Sequence, residues 1–268
     1  TGSLVYTNVT EHVKIGDAPA DFQRLAPSFT VSLQPWQEQL LFLRLMYKST
    51  FRMPTFNDLY YYRLGNRSLR PEKANEYNMG ITWSRSFSSF LNYLSVTVDG
   101  YYNDVTDKIV AFPTTYAWKM ANYGKVHVTG MDATLAAAAS LGKNMVLVVS
   151  GGYTWQKAID LTDATSKSYK DQLPYTPKHS GNVSAVLEMP WVNVGYSIVG
   201  ERYSMSQNIP ENRIDGYMEH TVSLSRNFSF RHCKLRLQAE IINLTDTQYD
   251  VIKYYPMPGR SWRLTGTI

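Results

Sequence analysis

The chain has 268 residues, 44% of them hydrophobic and 18% charged, with a net charge of +5, a length that allows one large domain or two small ones. Its mean hydropathy is -0.31, and no run reaches the about 18 apolar residues of a membrane-spanning helix. A membrane β-barrel is not excluded, because alternating strands average out. Scattered basic residues argue against a nucleic-acid partner, and a single cysteine, Cys233, rules out an internal disulfide. Tyrosine is in excess at 20 residues, beside 6 Trp and 10 Phe; this suits β-structure, a membrane interface or a ligand surface. The opening "TGSLVYTNV" has no charged and apolar leader, so we expect either a removed leader or a start inside a longer protein.

Period-two segments follow one another along the chain. "LFLRLMY" puts Leu41, Leu43, Leu45 and Tyr47 on one face, and "EYNMGITWS" does so with Tyr77, Met79, Ile81 and Trp83. "NYLSVTVDGYY" aligns Leu94, Val96, Val98, Gly100 and Tyr102 against Ser95, Thr97 and Asp99. "DATLAAAAS" has helical propensity, yet it follows "HVTGM" and ends at the turn "SLGKN", so it reads as strand. "NMVLVVSGGYTW", "WVNVGYSIVG" and "SWRLTGTI" continue the alternation, and "KLRLQAEIINL" sets Leu235, Leu237, Ala239 and Ile241 against Lys234, Arg236, Gln238 and Glu240. About eleven strands result, many longer than the ~5–6 residues usual in globular sheets and close to the ~9–11 that a tilted bilayer crossing needs. No amphipathic helix is expected.

The connections alternate in length. Those near 35–39, 85–90, 140–144, 188–191 and 227–233 are short; those over 49–72, 104–125, 158–176, 204–215 and 246–259 are long. This predicts an all-β, antiparallel, up-and-down transmembrane β-barrel with tight turns at one end and large loops at the other. Leu235, Leu237 and Ile241 then face lipid, while Lys234, Arg236, Gln238, Glu240, Asp99 and Glu201 face a wet interior. Trp83, Tyr102, Trp155, Trp191 and Trp262 form interfacial girdles. A passive porin, a structural or adhesive barrel, and a soluble β-rich ligand-binding domain share the alternation.

Several stretches go further. "YKSTFRMPTFNDLYY" precedes "LGNRSLRPEKANEYNMGITW"; "VDGYYNDVTDKIV", "NYGKVHVTGMDATL", "INLTDTQYD" and "PGRSWRLTGTI" follow in order. Together, over about residues 40 to 268, this order resembles the C-terminal half of the barrel of TonB-dependent outer-membrane receptors, of the vitamin B12 and ferric-siderophore type. The resemblance implies a barrel of ~22 strands with a plugged lumen, of which residues 1–268 supply about half, without the plug domain. It implies a bacterial outer-membrane location, no enzymatic activity and no cofactor. The implied partners are membrane lipid and lipopolysaccharide, the missing plug and N-terminal half of the barrel, TonB through that missing region, and a metal chelate or corrinoid as ligand. Such receptors typically end on an aromatic residue two positions past Ile268, so a fragment is expected, with two unpaired sheet edges or a small closure of its own.

The five histidines, His12, His127, His179, His220 and His232, show no metal-ligand spacing, and none lies between Arg52 and Arg70, where haem receptors of this family commonly place one. The residues expected to hold ligand are the aromatic and basic groups of the long loops: Tyr60, Tyr61, Tyr62, Arg63, Tyr116, Trp118, Tyr203, Arg213, Tyr254 and Tyr255. Phe112, Lys119, Tyr169, Lys170 and Arg202 lie in the same loops. In "FRMPTFNDLYY" a structural role is expected: Asn57 and Asp58 hold a turn and Arg52 pairs with a carboxylate. "DLTDATSKSYKD" lacks the Gly and terminal Glu of an EF-hand loop. Asn182 and Asn243 match the glycosylation pattern but are expected in strands, and no nucleophile elbow or phosphate loop occurs.

Overall fold

A computed structural model gives the architecture and describes residues 1–10, 12, 14, 21–88, 90–113, 118–142, 144–173, 175–203, 214–231 and 233–268. Its strands, in chain order, are β1 (Gly2–Val9), β2 (Phe22–Leu33), β3 (Leu40–Arg52), β4 (Glu72–Ser86), β5 (Leu91–Pro113), β6 (Trp118–Gly142) and β7 (Met145–Asp160). There follow β8 (Pro177–Glu188), β9 (Asn193–Tyr203), β10 (Tyr217–Ser229), β11 (Lys234–Ile242), β12 (Asp250–Ile252), β13 (Tyr255–Pro256) and β14 (Ser261–Thr267). Twelve of them form one antiparallel sheet in the order β1 to β11 and then β14, and β12 pairs only with β13. Each strand of the large sheet neighbours the next in sequence, which is the up-and-down arrangement. The sheet is open, with β1 and β14 at its edges; the chain does not close into a small barrel of its own.

Pairing registers assign the faces. Leu43, Ile81, Val98, Ala133 and Tyr153 share one row across β3 to β7; Val183, Ile198 and His220 share another across β8 to β10. On this face Leu45, Met79, Ile81, Leu135, Val183, Leu224 and Leu237 are exposed. A row of large apolar side chains open to the surroundings on consecutive strands is a lipid-facing arrangement. The opposite face is knit by polar pairs. Arg44 donates to Asp99 at 2.8 Å, Thr154 to Asp132 at 2.6 Å, and Thr82 meets Thr97 at 3.1 Å. Val148 and Val186, in register with each other, and Val199, in register with Asn182, interrupt that polar face.

Three expectations need correction. Residues 104–125 are not a loop: β5 and β6 run 23 and 25 residues and project as a hairpin beyond their neighbours, because "VTDKIVAF" and "WKMANYGKV" pair directly. A short helix, α1 (Phe56–Tyr60), does form. Thr55 accepts from the Asp58 amide at 3.2 Å and the Asp58 carboxylate accepts from the Thr55 amide at 2.9 Å, a reciprocal cap that satisfies otherwise orphaned donors. Asn243 lies just past β11 with φ 52 and is fully buried. Its side-chain amide donates to the Thr247 carbonyl at 2.9 Å and its Oδ1 accepts from the Thr247 amide at 2.9 Å. That buried asparagine pins the turn after β11, so "NLTD" acts as a local unit of structure.

The buried core lies at the long-loop end, on the otherwise polar face. Val105, Val126, Val128 and Ala158 are covered there by Leu173, from the connection 161–176. The connection is held down near its end: the Ala158 amide donates to Gln172 Oε1 at 3.1 Å, and the Leu173 amide to the Ala158 carbonyl at 2.8 Å. Tyr101 lies over Gly130, its register neighbour, where a Cβ would meet the ring. A second cluster, Leu59, Leu69 and Ile109, ties α1 to β5.

Candidate ligand site at the long-loop end

The predicted ligand residues separate into two groups. The first is built on the β3–β4 connection. Arg52 lies 3.7 Å from Asp58 and 3.5 Å from Glu72, so it does pair with carboxylates, and it orients α1 over the strand ends. Tyr60 packs against Phe56 at 5.0 Å between ring centroids and carries Arg67 over its ring at 5.2 Å. Tyr61 and Tyr62 are exposed; Arg63, with φ 63, lies over Tyr62 at 5.2 Å. The loop docks onto the projecting hairpin: the Met120 amide donates to Leu64 at 3.0 Å, and Asn122 accepts from the Arg70 amide at 2.9 Å. The Arg70 guanidinium meets Asp107, which pushes its pKa above the ordinary arginine value through that hydrogen bond. Trp118 is the first residue of β6 and packs on Tyr175, 5.8 Å between centroids; burial pushes the Tyr175 phenol up. The β3–β4 connection, the β5–β6 hairpin and the β7–β8 connection thus form one cap.

The second group lies near β14. Tyr217 and Tyr249 stack with centroids 3.9 Å apart and planes 12° apart. The Tyr249 hydroxyl donates to Glu219 at 2.7 Å. Burial first, and that bond second, push the Tyr249 pKa well above the ordinary phenol value. A cleft of about 350 Å³ opens beside the pair, lined by Asp215, Tyr217, Tyr249, Asp250, Lys253 and Tyr254 among others. Tyr254 has φ 67, and it and Tyr255 are exposed on the β12–β13 hairpin. An aromatic platform bordered by carboxylates and one lysine can hold a flat or ring-bearing ligand by stacking and orient it by hydrogen bonds.

The two groups stand on different parts of the sheet, the first around β3 to β6 and the second around β10 to β13. Tyr116 and Arg213 lie outside the described residues. Tyr203 ends β9 in register with Pro177, and Arg202 precedes it in register with His179, so both belong to a strand and not to a loop. Sequence reasoning missed Tyr217, Glu219, Tyr249 and Leu173. Tyr217 and Glu219 sit on the polar row of β10, and that parity was the available signal; nothing in the sequence announces the stack. Among the described residues no group of three His, Cys, Asp or Glu side chains converges in a way that could hold a metal ion.

Residues 3–244 match the family model described as "TonB dependent receptor-like, beta-barrel". The chain belongs to this TonB-dependent receptor β-barrel family. It is 26% identical over 222 residues to the vitamin B12 transporter BtuB of Vibrio vulnificus (strain YJ016), covering 80% of this chain and 33% of that protein. It is 25% identical over 225 residues to the vitamin B12 transporter BtuB of Photobacterium profundum, covering 81% and 33%. The chain therefore spans about a third of the length of the curated relatives it matches. In fold it is similar to the ferric-catecholate import receptor Fiu from K12 E. coli, with TM-score 0.65 and 20% identity over 92% of this chain and 35% of that one. It is likewise similar to the copper transporter OprC, with TM-score 0.66 and 15% identity over 91% and 39%. The edge strands β1 and β14 leave one side of their backbone unpaired in the sheet, the kind of edge to which another strand can add.

Proposed function

We propose that the chain is the C-terminal portion of an outer-membrane receptor that takes up a metal chelate or corrinoid by TonB-dependent active transport. The reading is supported above all by the capped end. The connection 161–176 folds over the inner face of β5 to β7, and the β3–β4 connection docks on the same hairpin. A passive porin needs an unobstructed lumen for flow; a receptor needs a shaped, partly closed vestibule that holds its ligand. In this reading ligand meets the Tyr217–Tyr249 cleft with Tyr254 and Tyr255, and the aromatic and basic cluster Tyr60, Tyr61, Tyr62, Arg63 and Trp118. The plug, supplied by the rest of the protein, completes the site, and energy passed by TonB rearranges it. The chain itself does no covalent chemistry.

The experiment is a visible absorption spectrum of the full-length receptor after incubation with cobalamin, ferric siderophores or haem and desalting. A retained corrinoid band assigns cobalamin, and an iron-chelate or Soret band assigns iron uptake. No retained chromophore from any of the three overturns the metal-chelate and corrinoid reading and favours a colourless ligand or a passive pore.

A further inference from the structure

The far part of the β5–β6 hairpin stands clear of its sheet neighbours. β4 follows β5 only as far as Thr106, and β7 follows β6 only from Val126. Among the described residues beyond those points, β5 and β6 pair with each other and with no further strand. A two-stranded ribbon alone is marginal in water, and its outer backbone groups need partners. The β3–β4 connection and its flanking residues supply several. The Ile109 amide donates to Glu72 at 3.1 Å and the Ile109 carbonyl accepts from Arg52 at 3.3 Å. The Met120 amide donates to the Leu64 carbonyl at 3.0 Å, and the Met120 carbonyl accepts from Asn66 at 3.2 Å. Leu59 and Leu69 pack on Ile109.

One side chain commits its whole amide to this junction. Asn122 is in register with Ile109. Its Oδ1 accepts from the Arg70 amide at 2.9 Å. Its Nδ2 donates to the Arg70 carbonyl at 3.0 Å and to the Asp107 carbonyl at 2.6 Å. Three backbone groups on two elements are thus joined through one residue. The Asp107 carbonyl is free to accept because the ladder opens there: the register passes from Thr106–Lys125 to Lys108–Tyr123 with no pair at Asp107, whose φ is 55. A non-glycine residue in the left-handed region costs free energy, and the opening it makes admits Asn122. Asp107 then holds Arg70 a second time, its carboxylate accepting from Nε at 2.8 Å. The junction is specific for an amide. Aspartate has the same shape but only acceptors when ionised, and one of its oxygens would face two carbonyls; alanine would leave all three backbone groups without this partner.

The connection that Asn122 fastens carries Tyr60, Tyr61, Tyr62 and Arg63. We propose that Asn122 is a positioning residue for this aromatic and basic cluster, clasping the β3–β4 connection to the β5–β6 hairpin so that the two form one rigid arm that meets ligand. A long connection left loose carries its side chains through many conformations, and fixing it beforehand removes that ordering cost from binding. The proposal rests on the ligand-site reading given above and adds which residue sets the cluster in place.

The test uses the full-length receptor with N122D, N122A and the cluster variant Y62A/R63A, and with N122D combined with the cluster variant. Cyanocobalamin, a ferric tris-catecholate and haem are the probes, scored by equilibrium dialysis. In hydrogen–deuterium exchange, peptides covering residues 57–70 should exchange at least roughly tenfold faster in N122D and N122A, as for a hydrogen-bonded junction that opens, while mid-sheet peptides of β5 and β6 keep the parent rate. Affinity for a probe that the parent binds should fall roughly tenfold in N122D. Y62A/R63A should also lose affinity, and adding N122D to it should lose little more, because the clasp acts through the cluster. Fully additive losses overturn the positioning role and leave Asn122 a stabilising residue only; parent-like affinity in N122D overturns it as well. Parent-like exchange in both Asn122 variants overturns the clasp itself. Retention of none of the probes by the parent overturns the uptake reading and the positioning role with it, whereas the exchange rates still report the clasp. Heat-modifiable migration of each variant on gels checks that it is folded.

Discussion

The middle of the sheet and its long-loop end are made from the same strands with opposite polarity. At mid-sheet β5 and β6 turn Val96, Val98, Ala133 and Leu135 outward and Thr97, Asp99, Asp132 and Thr134 inward. A few residues further along, the inward residues are Val105, Val126 and Val128, all buried, and the outward ones are Asp104, Lys125 and His127. Strand parity is unbroken between the two regions. What changes is what each face meets: the outward apolar rows are exposed at mid-sheet, and at the long-loop end Leu173 of the connection 161–176 covers the inward residues. An alternating strand therefore reports which side is apolar only relative to the medium at that height.

The largest effect that sharpens this contrast is expected at Leu173. Leu173→Ala empties the cluster beneath the connection and should cost about 2–5 kcal/mol locally. Hydrogen–deuterium exchange should show the amides of Ala158 and Asp160 losing protection while mid-sheet amides keep theirs; uniform loss over all strands would break the distinction between the two regions. Next, Leu237→Arg, on the outward row of β11, should cost ~2–4 kcal/mol at mid-bilayer, whereas Gln238→Arg, one residue on and inward, should stay within about 0.5 kcal/mol. Equal tolerance of both in denaturant titrations of the folded receptor would remove the assignment of faces.

A smaller effect is expected at Tyr249. Its hydroxyl donates to a carboxylate at 2.7 Å, and such a bond contributes about 1.5 kcal/mol. Because its folded pKa is raised above the unfolded phenol value, the folded state holds its proton where the unfolded state has lost it. The contribution is complete below the unfolded pKa and falls as pH rises through the folded one. Thermal unfolding followed from about pH 8 to about pH 11 should show a steeper alkaline decline in the parent than in Tyr249→Phe; parallel curves would contradict it. The smallest effect is at Asp99→Asn. The Arg44–Asp99 pair is part-exposed on both sides, so its loss should cost about 0.2–1 kcal/mol by the same titration.

Much of the fold was legible before any coordinates. "KLRLQAEII" became β11 with the predicted faces, "DATLAAAAS" became strand within β6, and Pro54, Pro71 and Pro258 all fall outside strands. Trp83 and Trp191 sit at the short-turn end, with Tyr102, Trp155 and Trp262 towards the other. The candidate site was legible only in part. Tyr60 to Arg63 and Tyr254 to Tyr255 stand out because aromatic runs in loops are conspicuous, but the Tyr217–Tyr249 stack joins β10 to the turn after β11, across a whole hairpin.

Alternation and connection length by themselves determined the strands, their faces and the up-and-down order, because those follow from side-chain period along the chain; the family resemblance came from particular motifs in order, from "FRMPTFNDLYY" to "PGRSW". Tertiary structure decided two other things: that residues 104–125 extend a hairpin and that the connection 161–176 folds inward. Each depends on register between strands and on loops crossing above them. Register is set by cross-strand packing among residues distant in sequence, which no local pattern encodes.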